Sequence, residues 1–291
     1  MAFTVAFWGV RGSIPAPGPA TARYGGNTPC VSAEHDSADG RKILVFDAGT
    51  GIRLLGNELV ERANGELEID LLLSHTHWDH IQGLPFFTPL FDRGNVARIL
   101  GPKQGKVNLE RILTEQMNQV VFPVPLKGLA AQLEVEHVTE GEFEVGGFDV
   151  EAMRLRHPAN TLGYLIKPVG GGPKFAYLSD NELGTGGDYG VEPSWREDIV
   201  RFLTGADTLV HDSMYTPEQL ERFRGWGHSS YQEAVALAAE AGVKQLVLFH
   251  HRPDHDDGSI DVIIEKAKTA AAKLDNRLDV IAAAEGQQLT L

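Results

Sequence analysis

An apolar run followed directly by a group of histidines is the feature that most constrains this chain. Residues 69–85 read IDLLLSHTHWDHIQGLP, in which the hydrophobic segment Ile69–Leu73 is long enough for one buried strand. Four side chains able to bind a metal ion follow within six positions: His75, His77, Asp79 and His80. The segment therefore predicts a strand that ends in a loop carrying a metal site.

The spacing of these four side chains favours two metal ions. His75 and His77 leave the strand in an extended turn, where alternate side chains point the same way. Asp79 and His80 begin the following helix, so two pairs of ligands lie on opposite sides of one loop. This suits two ions a few Å apart, between which a hydroxide can bridge. Imidazole with carboxylate favours zinc, Zn²⁺, with Mn²⁺ or Fe²⁺ as alternatives. The other interpretation, a polar loop with coincidental histidines, leaves four ligand-type side chains after one strand unexplained.

The composition indicates a globular protein that does not bind long nucleic acids. The chain has 291 residues, of which 42% are hydrophobic and 23% charged, as in soluble domains. Its net charge of −14 would repel a long polyphosphate backbone. There is no window of about 20 apolar residues that could cross a bilayer. The N-terminus lacks a signal-peptide pattern and Cys30 is the lone cysteine, so we expect a cytoplasmic protein without disulfide bonds or membrane contact.

Strands and helices alternate along the chain, which predicts an α/β fold. Strands are expected at Phe3–Trp8, Ile43–Phe46, Ile69–Leu73, Ala97–Leu100, Leu162–Ile166, Phe175–Leu178, Thr208–Val210 and Gln245–Phe249. Helices are expected at about 51–62, 106–117, 195–203, 217–223, 229–241 and 259–273. Ser229 or Ser230 would cap the helix that ends before Gly242. Because no repeat or linker interrupts the pattern, we expect a single domain over residues 1–291.

The segment 75–80 resembles the HxHxDH motif of the metallo-β-lactamase-fold hydrolases. That family has further ligands after later strands, and they are matched in order: His157 follows VEAMRLR, Asp180 ends KFAYLSD and His250 ends QLVLFH. The resemblance covers nearly the whole chain and implies an αββα sandwich of two mixed β-sheets flanked by helices. It also implies one metal ion held by His75, His77 and His157, a second held by Asp79, His80 and His250, and Asp180 as the bridge.

The identity of the last ligand is ambiguous, because His251 follows His250 immediately. Strand alternation from Leu248 favours His250 as the ligand. His251 would then face the other way and contact either the substrate or the residues that support the metal ligands. The remaining ionisable residues of this stretch belong either to a solvated loop or to the site: Asp254, His255, Asp256 and Asp257.

Further motifs resemble the ribonuclease Z-like and class II cyclic-nucleotide phosphodiesterase-like members of that family. The opening FWGVRGSIPAPGPATARYGGNTPCV is one, and FDAGTG, in which Asp47 would brace the HxHxDH loop, is another. The stretches LVHDSMY (209–215) and GWGHSS (225–230) resemble the paired acidic residue and histidine of ribonuclease Z. By this resemblance Asp212 orients His228, which stabilises charge on phosphorus or protonates the leaving oxygen.

The predicted function is that of a dinuclear metal-dependent hydrolase of small phosphodiesters, such as cyclic nucleotides or cyclic phosphates. Asp79 would hold and orient a metal-bridging hydroxide. The alternatives are hydrolysis of a lactone, thioester or β-lactam, and tRNA 3′ processing. The net charge disfavours tRNA processing, and so does the lack of the long basic arm with which ribonuclease Z grips tRNA. A flavodiiron-type oxidoreductase would have glutamate where His77 stands. An inactive scaffold would have lost ligands, and all seven positions are filled.

The loops supply the candidate substrate contacts. These are Arg11, Arg23, Tyr24, Asn27 and, from the C-terminal part, His251. Trp78, inside the metal motif, would either pack beneath the metal loop or stack on the substrate. Members of the family that the chain resembles are often dimers, so the resemblance also allows a homodimer.

Overall fold

Two seven-stranded β-sheets form among the described residues of this computed structural model, which are residues 3–37, 40–63, 65–184, 187–274 and 277–291. The strands are β1 (Phe3–Gly9), β2 (Cys30–Ser37), β3 (Gly40–Phe46), β4 (Glu68–Leu72), β5 (Val96–Gly101), β6 (Gln132–His137), β7 (Gly141–Val145), β8 (Phe148–Arg154), β9 (Leu162–Pro168), β10 (Phe175–Leu178), β11 (Thr208–Asp212), β12 (Gln245–Phe249), β13 (Asp279–Ala282) and β14 (Gln288–Thr290). The first sheet has the order β14-β1-β2-β3-β4-β5-β6 and the second β13-β12-β11-β10-β9-β8-β7.

The helices cover the outer faces of the two sheets. They are α1 (Ile52–Arg62), α2 (Trp78–Ile81), α3 (Leu109–Gln116), α4 (Trp195–Leu203), α5 (Pro217–Phe223), α6 (Tyr231–Ala241) and α7 (Asp257–Leu274). Apolar residues of α1 and α3 form one core with β3, β4 and β5, and those of α4, α6 and α7 form another with β11 and β12. Between the sheets lies a third core, in which Phe46 stacks on Tyr177 with ring centroids 5.0 Å apart. The predicted αββα sandwich of two mixed sheets is thus confirmed.

All eight predicted strands are present, and six further strands come from sequences that are less apolar. The additional strands are β2, β6, β7, β8, β13 and β14. Strands β6 (QLEVEH) and β7 (GEFEV) lie at sheet edges, where one face contacts water and glutamates are tolerated. Strands β1 and β2 pair across the intervening residues 10–29, so the apolar pattern of one segment does not reveal this pairing.

Helix boundaries follow their capping residues. Ser230 caps α6 in a reciprocal capping box with Glu233, so the helix begins at Tyr231 rather than at Ser229. The side chain of Asn108 caps α3, which shortens the helix expected from residue 106. No helix of the described residues combines the length and apolar character needed to span a membrane.

Parallel strands in each sheet end at the edge where the predicted ligands lie. Strands β3 to β6 are parallel to one another in the first sheet, and β10 to β13 are parallel in the second. Side chains that follow the carboxyl ends of parallel strands meet in one crevice. The residues that end or follow these strands are Asp47 after β3, the loop 73–77 after β4, Asp180 after β10, Asp212 at the end of β11 and His250 after β12.

Candidate metal centre

The seven side chains predicted as ligands converge between the carboxyl ends of the two sheets. Their nitrogen and oxygen atoms form overlapping groups, in each of which the atoms lie within 4.8 Å of one another. One group contains His75, His77, His157 and Asp180, and another contains Asp79, His80 and His250. A further group joins Asp180 and His250 to His228. The division into two sets is the one that the resemblance implies.

Asp180 lies between the two sets and presents one carboxylate oxygen to each. Its Oδ1 is 3.1 Å from Nε2 of His80 and 3.2 Å from Nε2 of His250. Its Oδ2 is 3.8 Å from Nε2 of His75 and 3.7 Å from Nε2 of His157. A carboxylate placed in this way can bridge two cations, one on each oxygen.

Several buried polar atoms of this group lie close to one another but make no hydrogen bond of acceptable geometry among the described residues. They include Nε2 of His75, Nε2 of His80 and Oδ1 of Asp180. Buried polar atoms without a partner are rare, because desolvation is not compensated. Nitrogen and carboxylate donors that converge unpaired in one place suit divalent transition metals, so these residues fit a dinuclear metal centre.

Asp47 supports the loop that carries the first-sheet histidines. It is fully buried after β3, and its carboxylate accepts the N–H of Ser74 at 2.7 Å and the hydroxyl of Ser74 at 2.9 Å. Nδ1 of His80 lies 2.8 Å from the same carboxylate, and Tyr177 of the second sheet donates its hydroxyl at 2.7 Å. Nδ1 of His80 is thereby fixed, which leaves its Nε2 for a ligand, as the predicted bracing role requires.

His228 and Asp212 form a pair beside the cluster. Nδ1 of His228 lies 2.8 Å from Oδ2 of Asp212, and the ring stacks on His250 with centroids 5.1 Å apart. Burial alone would lower the pKa of His228, but the charge and hydrogen bond of Asp212 outweigh it and raise the pKa to about 9. The pair can therefore present a protonated imidazole to a group bound at the cluster.

The four candidate substrate contacts of the N-terminal loop are engaged elsewhere. Arg11 is completely buried and donates to the backbone carbonyls of Gly25, Arg252 and His255. Arg23 pairs with Asp261 of α7, to which Tyr24 also donates its hydroxyl. Asn27 donates to Glu285. The structure thus places these side chains in contacts that attach the loop to the C-terminal part of the chain.

The same loop reaches the cluster through its backbone. The N–H of Ser13 donates to Oδ2 of Asp79 at 2.7 Å, which holds that carboxylate toward His80 and His250. The sequence reasoning missed this contact, because a backbone donor leaves no side-chain signature.

His250, and not His251, belongs to the cluster. Nε2 of His250 lies 3.3 Å from Asp79, whereas Nε2 of His251 lies 2.9 Å from the carbonyl of Ala283. Of the acidic residues that follow, Asp257 accepts the N–H of Arg23 and Asp256 that of Ser259. His255 lies beside Gln219. This stretch therefore connects α7 with the N-terminal loop.

Positive φ angles mark the backbone at this site. Among the described non-glycine residues they occur at Ser13, Asp47 and His250, with values of 64°, 59° and 60°. All three residues contact the cluster or belong to it. A Cβ at Gly12 would lie 2.4 Å from the ring of His250, so the approach of the loop to this histidine requires a glycine.

Two tryptophans border the cluster. Trp78 begins α2 and is 71% exposed, so the expectation that it packs beneath the metal loop is wrong. Trp226 is 62% exposed. Nε2 of His157 lies 2.9 Å from Nδ1 of His77, which precedes Trp78 in the chain. Nδ1 of His157 lies 2.9 Å from the carbonyl of Gly227, which follows Trp226. Trp78 and Trp226 are therefore each adjacent in sequence to a residue that contacts His157.

Glu182 is a further buried residue of the site that the sequence reasoning missed. It follows Asp180 by two positions, and its carboxylate accepts the N–H groups of Gly225 and Gly227. A buried acid so close to a predicted ligand, in the sequence SDNE, was the available signal.

Comparisons with known proteins agree with this fold. Residues 41–251 match the family model described as the beta-lactamase superfamily domain. A ribonuclease Z of Halorubrum lacusprofundi is 25% identical over 293 residues, with coverage of 86% of this chain and 86% of that one. The metallo-β-lactamase-fold protein YhfI from Bacillus subtilis has a TM-score of 0.69 at 18% identity and covers 100% of this chain and 99% of its own. Unliganded yeast PDE1 has a TM-score of 0.69 at 15% identity, with coverage of 100% and 99%.

Proposed function

The chain belongs to the β-lactamase superfamily, and from that premise we propose that it is a dinuclear metal-dependent phosphodiesterase for small substrates such as cyclic nucleotides or cyclic phosphates. The observation that supports a phosphodiester most is the buried pair of His228 and Asp212 beside the ligand cluster. A leaving alkoxide needs a proton, and this imidazole can supply one. The similarity to a ribonuclease Z is consistent with the same bond type.

In this proposal His75, His77 and His157 hold one cation and Asp79, His80 and His250 hold the other, with Asp180 between them. When bound, two divalent cations, which we propose are Zn²⁺, would neutralise phosphate charge and lower the pKa of water toward neutrality.

The residues of the chain orient the reacting groups. Asp79 is held by the N–H of Ser13, so its carboxylate has a fixed direction in which to accept a proton from the nucleophile. Asp212 holds Nδ1 of His228, which leaves Nε2 as the proton donor to the leaving oxygen. The charge and hydrogen bond of Asp212 raise the pKa of His228, which favours the protonated imidazole that this step requires.

The charge of the molecule favours small substrates. A net charge of −14 repels long polyanions, whereas two cations held by the cluster would supply positive charge at one point. His77 is the exposed member of the cluster, so we propose that the substrate enters on its side.

The exposed tryptophans favour a substrate with a planar group. Trp78 and Trp226 are exposed and follow or precede residues that contact His157, and a base stacked on an aromatic side chain gains about 1–3 kcal/mol. Phe223 supports Trp226 with ring centroids 5.5 Å apart. We therefore propose nucleoside phosphates rather than simple sugar phosphates as substrates, with Trp78→Ala raising KM for nucleotides more than for a non-aromatic cyclic phosphate.

The deciding experiment is a substrate panel with enzyme loaded separately with Zn²⁺, Mn²⁺ and Fe²⁺. Bis-p-nitrophenyl phosphate and the 2′,3′- and 3′,5′-cyclic nucleotides would be compared with nitrocefin, a lactone and a thioester. We expect the phosphodiesters to be hydrolysed fastest. His228→Ala should retain its metal while kcat falls by about 100-fold or more, and faster turnover of a carbonyl substrate would overturn the proposal.

A second candidate, tRNA 3′ processing, is favoured by the similarity to ribonuclease Z over 86% of the chain. The net charge of −14 opposes it. Cleavage of a precursor tRNA at low ionic strength, where electrostatic effects are largest, would distinguish the two candidates.

A further inference from the structure

We propose that Glu182 is a positioning residue that fixes His157, and thereby one of the two metal sites, through the backbone of residues 225–227. This inference rests on the metal centre of the proposed function but not on the identity of the substrate. Glu182 itself contacts no member of the ligand set in the described contacts, so its effect is transmitted by the glycine-containing turn.

The carboxylate of Glu182 is completely buried and its oxygens are occupied. Gly225 donates its N–H to both oxygens, at 3.0 and 2.9 Å, and Gly227 donates to Oε2 at 3.0 Å. Tyr189 donates its hydroxyl to Oε2. A buried carboxylate is costly unless it accepts such hydrogen bonds, so the turn and the carboxylate hold each other in place.

The turn is shaped for this contact. Gly225 and Gly227 have φ angles of 86° and 85°, which aim their N–H groups at the same carboxylate. A Cβ at Gly227 would lie 2.2 Å from Nδ1 of His157, so the turn is pressed against that ring. Only glycine combines this φ with so close an approach.

The turn then determines the orientation of His157. The carbonyl of Gly227 lies 2.9 Å from Nδ1 of His157, and because a carbonyl can only accept, this nitrogen carries the proton. Nε2 is left unprotonated and faces Asp180, at 3.7 Å. A histidine must present an unprotonated nitrogen to a metal, so the carbonyl selects the tautomer that binds.

The backbone of Glu182 also contacts the residue that precedes His157. Its N–H donates to the carbonyl of Arg156 at 2.8 Å, and Asn181 accepts the N–H of Arg156 at 3.0 Å. His157 is therefore enclosed between the segment that follows Asp180 and the turn that Glu182 holds. The other metal site, with Asp79, His80 and His250, has no contact of this kind with Glu182 in the described residues.

The test compares the affinities of the two metal sites in wild type and Glu182→Gln. Glutamine has nearly the same size, but its amide group replaces one acceptor with a donor that opposes an N–H of the turn. We expect the site with His157 to bind Zn²⁺ about 10- to 100-fold more weakly, while the site with His80 and His250 keeps its affinity. Competition with a chromophoric chelator measures both affinities without any substrate.

Tyr189→Phe is the matched control, because it removes a hydroxyl from the same carboxylate and leaves the glycine contacts. It should keep both affinities. Imidazole ¹⁵N spectra of wild type and Glu182→Gln would show whether Nδ1 of His157 keeps its proton, and circular dichroism would confirm that each variant is folded. If Glu182→Gln folds poorly, Glu182→Asp, which shortens the side chain while keeping the charge, should show the same selective weakening.

Equal weakening of both sites, or unchanged affinity of both, would overturn the inference. A wild-type protein that binds two Zn²⁺ ions but hydrolyses no phosphodiester would instead overturn the proposed function, while leaving the role of Glu182 intact.

Discussion

Two buried carboxylates support the candidate metal centre, one from each sheet, and they do so differently. Asp47 of the first sheet lies beside a ligand ring directly, at Nδ1 of His80, and also accepts from Tyr177 of the second sheet. Glu182 of the second sheet reaches His157 only through the backbone of Gly227. The direct anchor joins the two halves of the molecule, whereas the indirect anchor shapes one turn. Loss of Asp47 should therefore affect folding as well as metal binding, and loss of Glu182 mainly one metal site.

Asp47→Ala should have the largest effect. Removal of this carboxylate leaves His80, Ser74 and Tyr177 without their buried acceptor, which we expect to lower the free energy of unfolding by about 3–5 kcal/mol. Urea denaturation of the metal-free protein measures this loss. An unchanged unfolding midpoint would show that the two carboxylates do not differ in the way described.

Gly227→Ala should come next, with its main effect on metal affinity. The added Cβ would lie 2.2 Å from Nδ1 of His157, at a φ of 85° that alanine rarely adopts, so the turn must move away from the ring. We expect about 10- to 100-fold weaker binding at the site of His157. Chelator competition would test this, with Gly190→Ala as a control, since Gly190 has a positive φ but open space around its Cβ position. Full affinity would show that the turn does not position His157.

Tyr177→Phe should have a smaller effect and tests the link between the sheets. It removes one donor to Asp47 and keeps the ring that stacks on Phe46. We expect a loss of about 0.5–1.5 kcal/mol in the free energy of unfolding. Thermal or urea unfolding gives the value, and a loss as large as that of Asp47→Ala would mean that the phenol, not the acid, is the anchor.

His255→Gln should have the smallest effect at neutral pH, because its effect is confined to acid, and it separates the carboxylates from an unrelated histidine. Burial, with the charges of Arg252 and Arg11, lowers the pKa of His255 to about 4. In the unfolded chain the histidine pKa is about 6.5, so the unfolded state gains a proton first as the pH falls. The contribution of His255 is therefore constant above about pH 7 and destabilises the fold as the pH drops from about 6.5 toward 4.

Urea unfolding across this pH window should show that His255→Gln loses less stability in acid than wild type. If wild type and His255→Gln lose the same stability as the pH falls, the acid sensitivity belongs wholly to other groups, including the carboxylates.

The sequence allowed prediction of the parts whose chemistry is local. The strand Gln245–Phe249 and the helix at 217–223 were predicted with their observed bounds, and the HxHxDH ligands follow one another in a single loop. The edge strand β7 escaped prediction because it is short and has two apolar residues, Phe143 and Val145, too few for a clear alternation. The N–H of Ser13 and the contact of Glu182 with the turn escaped because they depend on segments that are distant in sequence.

The partners of the candidate substrate contacts escaped prediction for the same reason. Arginines in a loop near a predicted site suggested phosphate binding, but their partners are decided by tertiary structure. Arg23 meets the carboxylate of Asp261 and Arg11 meets backbone carbonyls, neither of which is visible as a local pattern. Trp78 was the opposite case, since its exposure could not be read from a motif in which His75, Asp79 and His80 are buried.

The left-handed backbone at Ser13, Asp47 and His250 has a consequence for laboratory evolution. A non-glycine residue in this conformation costs on the order of 1–3 kcal/mol, and glycine relieves that strain. At Asp47 and His250 the side chain is required at the metal centre, so a glycine that relieved the backbone strain would also abolish activity. Ser13 acts on Asp79 through its N–H, which glycine also possesses. A library selected for heat resistance and turnover together should therefore accept glycine at Ser13 and reject it at the other two positions.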